Sequence, residues 1–519
     1  MFKSSPQKFA ILDWVTKGKG SATVKAVAGS GKTTTLVDAV DLMQGRIFFG
    51  AYNKAIANEI AQKTGKRPGL FVQTMHAAGF ASWRKVAPDV VVDGDKCRNL
   101  YRAMVERMDD EEARAREEAL LAGQPVGDVI NLNQFESAVL RLVSLAKQSG
   151  FGVKNYSPLE QDYAWYSLID HFDVDTLGED AQVIDLSISL LKFSIERDTK
   201  VIDFDDMIYA PLVHDTPVWT YDWVLLDEAQ DTNVTRRELA LRMMKKNSRM
   251  LAVGDPHQAI YGFTGADADS MALITSAVNA VEMPLTVSYR CPKAVVKYAQ
   301  NWVSHIQSAD NAPEGEVVTV IKPLVEVVKP GDAVLCRFNA PVIEYAFQLI
   351  AAGVPAKVEG RDIGAGLKSL ARQWKTVTTY DELGARLDAY CEKQVAKYLA
   401  KEQKARAEAV KDKVRCLQIL ISRAMAENPT PVSAVEAVCN QIDAIFGENV
   451  GGDVVLLSSI HKAKGREWNR VFWLTTGPSK FARKDWEQQQ EANLCYVAAT
   501  RAKQSLYLID ISRKSKNGG

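Results

Sequence analysis

The 519-residue chain has no net charge: 64 lysines and arginines stand against 64 aspartates and glutamates. That balance excludes a globally basic polyanion binder, so any groove for a polyanion must be local. The seven cysteines (Cys97, Cys291, Cys336, Cys391, Cys416, Cys439, Cys495) are scattered without a CxxC pair. Such spacing excludes a zinc or iron–sulfur framework and suits reduced thiols. No apolar run is long enough to span a bilayer, and the start, MFKSSPQKFAILDW, lacks the apolar stretch of a signal peptide. No membrane partner is expected. The expected setting is the cytoplasm of a bacterial or phage-infected cell, or the nucleus of a eukaryotic one. What remains is ordinary for globular protein, 47% hydrophobic and 25% charged, in a length suited to roughly two to four domains.

What is present is a set of short apolar runs that end in polar or acidic residues. Residues 5–16 read as a short helix capped by Ser5. A β-prone run from Ser21 then leads into Ala26-Val27-Ala28-Gly29-Ser30-Gly31-Lys32-Thr33-Thr34 and a helical pattern through about Leu42. Strand, glycine turn and helix in this order are the context of a P-loop. Glycines let backbone N–H groups close around phosphate oxygens, and the helix N-terminus adds its positive end. In that setting Lys32 reaches the β- and γ-phosphates and the Thr33 hydroxyl ligates Mg²⁺. Ala26 stands where the general G-x-x-x-x-G-K-S/T pattern has glycine, and a glycine turn before an ordinary helix is the plainer alternative.

The stretch Val224 to Asp231, VLLDEAQD, reads as a buried parallel strand that delivers Asp227 and Glu228 to its C-terminal edge. Alone, such an end is ordinarily a solvated turn. Behind a phosphate cradle it reads as the second half of a Mg·ATP site, with Asp227 for the metal and Glu228 for the attacking water. A run from Arg46 ends at Tyr52-Asn53-Lys54, a tip suited to stacking a base or holding a phosphate, or else a plain βα turn. Another ends at Thr74-Met75-His76, where a lone histidine is more often structural. Met250 to Gly254 ends in Asp255, with Gln258 placed to hydrogen-bond a γ-phosphate and report its loss. Tyr261 and Phe263 follow as stacking faces or as core.

The order and wording of these motifs resemble the UvrD/Rep-type superfamily 1 helicases. The form Ala26-x-x-Gly29-x-Gly31-Lys32-Thr33 is that family's own variant. The resemblance implies that Gln7 reads adenine and that Ala28 to Thr34 cradle the nucleotide. It implies single-strand contacts at Tyr52, Asn53, Lys54, Thr74, His76, Tyr261 and Phe263. Val287-Ser288-Tyr289-Arg290 is similar to the motif whose tyrosine stacks on adenine and whose arginine reaches the γ-phosphate. Arg337 and Asn339 close a run that resembles the opening of the second motor domain's nucleic-acid face. Val454 to Glu467 resembles SIH-x-AKG-x-E, which implies a strand contact at His461 and nucleotide contacts at Gly465 and Glu467. Tyr496 to Ala502 resembles the motif with a second arginine finger, here Arg501. The chain departs from the usual pattern at Thr264 and Asn493, where arginine is common. Its HKAKG and VGDPHQ wording also resembles the F-box DNA helicase-like and phage branches.

The fold implied is α/β: two RecA-like P-loop motor domains with parallel sheets, each interrupted by a mainly helical insertion. The first motor domain is expected at 1–85 and 200–280, with an insertion at 86–199 whose charge runs are solvated faces. The second is expected at 281–363 and 452–519, with a short insertion at 364–451 rich in helix-forming residues. The implied activity is ATP hydrolysis with Mg²⁺ in a cleft between the motor domains, Glu228, Gln258, Lys32, Arg290 and Arg501 carrying the chemistry. It would drive 3′→5′ travel on single-stranded DNA and unwinding of forked duplex, by a monomer with replication or repair proteins as partners. A translocase that displaces bound proteins and unwinds weakly stays open, as does a nucleotide-switched DNA-binding module. RNA is the alternative substrate.

Overall fold

The computed structural model describes residues 5–122, 131–172, 174–196, 200–260, 269–359, 361–400, 404–446, 454–476 and 485–511. Among these, two six-stranded sheets organise the chain, one in each of two units. One unit is formed by residues 1–26 and 32–285, the other by 27–31 and 286–519.

In the first unit the strands are β1 (Ala22–Ala26), β2 (Ile47–Ala51), β3 (Leu70–Thr74), β4 (Tyr221–Leu226), β5 (Met244–Gly254) and β6 (Val281–Leu285). They lie in the order β3-β2-β4-β5-β1-β6, all parallel. All five residues of β2 are buried, as its unbroken IFFGA run requires when both faces of a sheet are covered. Its side chains alternate: Phe48 enters one core with Val224 and Leu226, and Phe49 enters the other with Leu36 and Leu225. Parallel pairing brings the C-terminal ends of β1, β2, β4 and β5 to one edge, where open α/β sheets place their ligands. β6 runs in register with β1, Ala22 to Ala26 against Val281 to Leu285. The first unit therefore extends through 285, past the boundary of 280 expected from sequence, because this strand completes its sheet.

Helices Lys96–Leu121, Glu136–Gln148, Asp162–Phe172 and Asp180–Glu196 form the first insertion. Their apolar faces (Tyr101, Leu142, Trp165, Leu190) share one core with the Phe48 face of the sheet. The insertion also buries charge. Lys147 is 1% exposed and pairs with Asp203 (2.6 Å) and Asp206 (2.8 Å), while Lys96 pairs with Asp206 at 2.8 Å.

The second unit holds β7 (Glu316–Thr319), β8 (Ala333–Cys336), β9 (Ala356–Val358), β10 (Val455–Ser459), β11 (Trp468–Thr475) and β12 (Ala502–Asp510). Their order is β7-β12-β11-β8-β10-β9, again all parallel. Helices Arg361–Ala371, Tyr380–Ala400, Lys404–Glu427 and Ala434–Phe446 form its insertion. Leu387, Leu417 and Val438 of these helices share a core with Val334 and Leu457 of the sheet. The seven cysteines are all free, and no described helix is long and apolar enough to cross a membrane.

Candidate nucleotide and nucleic-acid sites

At the first sheet's edge, β1 runs into the glycine turn and the helix Lys32–Val40. Gly29 and Gly31 have φ of +71° and +83°, a region that penalises any Cβ. Space in front of Gly31 is open, and the buried Ser30 hydroxyl has no hydrogen-bond partner. A glycine turn open at Gly31, with an orphaned polar atom beside it, fits a phosphate. The turn itself groups with the second unit, where the Gly29 carbonyl accepts from the Tyr289 N–H at 2.8 Å and the Ala28 N–H donates to the Tyr496 hydroxyl at 2.8 Å.

Lys32 Nζ lies 2.8 Å from Glu228 Oε2 and is largely buried. Burial alone would lower its pKa, but the charges of Glu228, Asp255 and Asp227 outweigh it and hold the ammonium above its ordinary value. The Thr33 hydroxyl donates to Asp227 Oδ2 at 2.6 Å. Burial, then the adjacent Glu228 charge, pushes the Asp227 carboxyl up to about 6. A buried acid beside a half-buried one calls for a cation, and a hydroxyl with a carboxylate is a hard-oxygen set that suits Mg²⁺. Among the described residues no cluster of three His, Cys, Asp or Glu could hold a metal on side chains alone. Mg²⁺ sites at nucleotides have this form, one or two carboxylates being completed by phosphates and water.

Glu228 itself has φ of +51°, a left-handed conformation that non-glycine residues adopt at a cost of about 1–3 kcal/mol. Gln230 holds the turn. Its Nε2 donates to Glu228 Oε2 (2.6 Å) and Asp231 Oδ2 (3.2 Å), and its Oε1 accepts the Asp255 N–H (2.9 Å). A Cβ at Gly254 would stand 2.6 Å from Gln230 Oε1, so glycine there lets the amide pass. The fully buried Asp255 accepts from Gln258 Nε2 at 2.8 Å. Lys32, Thr33, Asp227, Glu228 and Gln258 thus meet in one hydrogen-bonded group. Sequence reasoning missed Asp255, although its place at the end of β5 was the signal. Gln7 sits half-buried in the first turn of helix Pro6–Lys17, which Ser5 caps, and Thr34 is exposed.

The remaining first-unit residues are less distinctive. Tyr52 and Lys54 are exposed beyond β2, but Asn53 caps helix Lys54–Thr64 through the Ile56 N–H at 2.9 Å. Thr74 likewise caps helix Met75–Trp83 through the Ala77 N–H at 3.2 Å. Burial, then the nearby Arg236 charge, lowers the His76 pKa to about 4. Tyr261 and Phe263 lie outside the described residues.

In the second unit Arg290 forms an ion pair with Glu467, and Lys503 stands 3.8 Å from the same carboxylate. Gly465 occupies a left-handed turn at φ +83°. Arg501 is 1% exposed, its guanidinium donating to the Val497 carbonyl (3.0 Å) and the Arg466 carbonyl (3.1 Å). The expected finger is thus seated among backbone acceptors of its own unit. Arg337, Asn339 and His461 come together around a cavity of about 340 Å³ at the ends of β8 and β10. Arg337 pairs with Glu491 at 3.0 Å. Burial, then the charges of Arg337, Lys464 and Lys462, lowers the His461 pKa to about 3.

The sequence matches the family described as UvrD/REP helicase N-terminal domain over residues 8–279, and that described as UvrD-like helicase C-terminal domain over 367–513. F-box DNA helicase protein 1 of Schizosaccharomyces pombe is 25% identical over 532 residues, covering 95% of this chain and 56% of that protein. The ATP-dependent DNA helicase Rep of Escherichia coli is 23% identical over 323 residues, covering 57% of this chain and 42% of Rep. A probable DNA helicase II homolog of Mycoplasma genitalium is 26% identical over 213 residues, covering 36% of this chain and 29% of that protein. The chain spans about half the length of the first two relatives.

Proposed function

The chain belongs to the UvrD/Rep helicase family, and from that premise we propose that it hydrolyses ATP and uses the cycle to move 3′→5′ along single-stranded DNA and unwind forked duplex. The observation that carries this reading is the single hydrogen-bonded group of Lys32, Thr33, Asp227, Glu228 and Gln258 at the ligand-binding edge of a parallel sheet. The direction of travel and the choice of DNA rest on the family resemblance.

Each residue has a task set by its chemistry. Lys32 exchanges its contact with Glu228 for the β- and γ-phosphates. That exchange frees the Glu228 carboxylate to take a proton from the attacking water. Gln258, oriented by Asp255, offers its amide to the γ-phosphate. Thr33 and Asp227 would hold Mg²⁺, which supplies charge stabilisation on the phosphoryl oxygens. Arg290 and Arg501 take the finger roles, which in phosphoryl transfer are worth roughly 10³–10⁵ in rate. Arg337, Asn339 and His461 grip the strand by phosphate contact and stacking, with little preference for sequence.

ATPase rates with and without single-stranded DNA test the proposal, with single-stranded RNA as a second arm. Strong stimulation by DNA supports a motor, equal stimulation by RNA reassigns the substrate, and no stimulation by either strand removes the motor.

A further inference from the structure

The turn that carries Arg337 and Asn339 is held from outside its own segment. It joins β8 to helix Asn339–Ala351, whose capping position is filled by Phe338, a side chain with no hydrogen bond to offer. A helix start leaves backbone N–H groups that need acceptors. Here both come from Asp412: its Oδ2 accepts the Asn339 N–H at 3.0 Å and its Oδ1 the Ala340 N–H at 2.9 Å. Asp412 lies in the insertion helix Lys404–Glu427, 73 residues away along the chain. The same helix packs Leu417 and Ile421 into the core that holds Ile343 and Ala346 of the capped helix. Asp412 also lines the cavity on which Arg337, Asn339 and His461 converge.

We infer that Asp412 is a positioning residue for the nucleic-acid grip: the second insertion supplies the missing cap and so fixes the Arg337 to Asn339 turn against the strand. The inference rests on the reading that Arg337, Asn339 and His461 contact the strand. It gives the insertion a defined task, which is to set the affinity of the second unit for a single-stranded backbone. The opposite sign is physically available. A carboxylate on a helix N-terminus occupies a place that suits a phosphate, so a competing Asp412 would weaken binding and its removal would tighten it.

The test uses the full chain, a fluorescent oligothymidylate and three variants, Asp412→Ala, Asp412→Asn and Arg337→Ala. Loss of a cap is expected to raise the DNA concentration for half-maximal ATPase about tenfold in Asp412→Ala. The maximal rate at saturating DNA should stay within about twofold, since ground-state binding is what is lost. Asp412→Asn keeps one acceptor oxygen and should fall between Asp412→Ala and wild type. This variant decides the matter if Asp412→Ala does not fold. Wild-type or tighter DNA binding by Asp412→Asn and Asp412→Ala, with Arg337→Ala weakened, overturns the inference and leaves the grip reading intact. Undiminished binding by Arg337→Ala overturns both.

Discussion

Gln230 accepts the backbone N–H of Asp255 at 2.9 Å, joining the end of β4 to the end of β5. Because the same side chain donates to Glu228 at 2.6 Å, Glu228 and the Gln258 segment are fixed to each other. Gln230→Ala leaves the buried Asp255 amide unpaired, a cost of about 1–3 kcal/mol. The expected result is a kcat for ATP lowered about tenfold or more, with KM changed far less. Steady-state kinetics decide it, and an unchanged kcat would show that the bridge does not position Glu228.

Glu228→Gln should separate binding from chemistry. The amide cannot take a proton, so hydrolysis should fall by roughly 10²–10⁴. Lys32 loses its partner carboxylate but keeps Asp255 and Asp227 nearby, so a fluorescent ATP analogue should still bind. Equal loss of binding and turnover would move the base elsewhere.

Two half-buried histidines, His461 and His76, set a pH signature. In the unfolded chain a histidine takes a proton near pH 6.5. In the folded chain His461 does so only at about 3 and His76 at about 4, because burial disfavours the charged ring. Folding therefore loses stability as pH falls below 6.5 toward those values. His461→Gln should flatten the decline of the thermal midpoint between pH 6.5 and 4. A decline as steep as wild type would mean that His461 is protonated in the folded protein.

The charge cluster of the first insertion predicts a large local penalty. Lys147→Ala leaves Asp203 unpaired and Asp206 with Lys96 alone, and breaking such a buried pair costs about 3–5 kcal/mol. Lys245→Ala, which removes a partly exposed pair with Asp222, should cost under about 1 kcal/mol. Urea denaturation of both variants measures the contrast, and similar midpoints would refute it.

The glycine cradle and the Asp227-Glu228 strand end could be read because each is a contiguous segment whose residue types are dictated by its local task. Asn53 and Thr74 were harder: a side-chain oxygen after a strand serves equally as a helix cap, and in the structure both are caps. Asp412 could not be read at all, since its partners are 73 and 72 residues away and nothing in its own helix marks it. The same holds for Lys147, which sits on a helix beside ordinary apolar positions and meets Asp203 only through the fold. The strand β6 (VEMPL) was hidden in sequence because it is short, carries a proline and is largely exposed, and only its pairing with β1 identifies it.

Strand separation on forked DNA, with a single-stranded tail on either the 3′ or the 5′ side, measures the proposed activity most directly. With ATP and Mg²⁺, wild type should open the 3′-tailed fork, and Glu228→Gln should open neither. Opening of the 5′-tailed fork alone would contradict the direction. Opening by Glu228→Gln at the wild-type rate would contradict the assignment of the hydrolytic site.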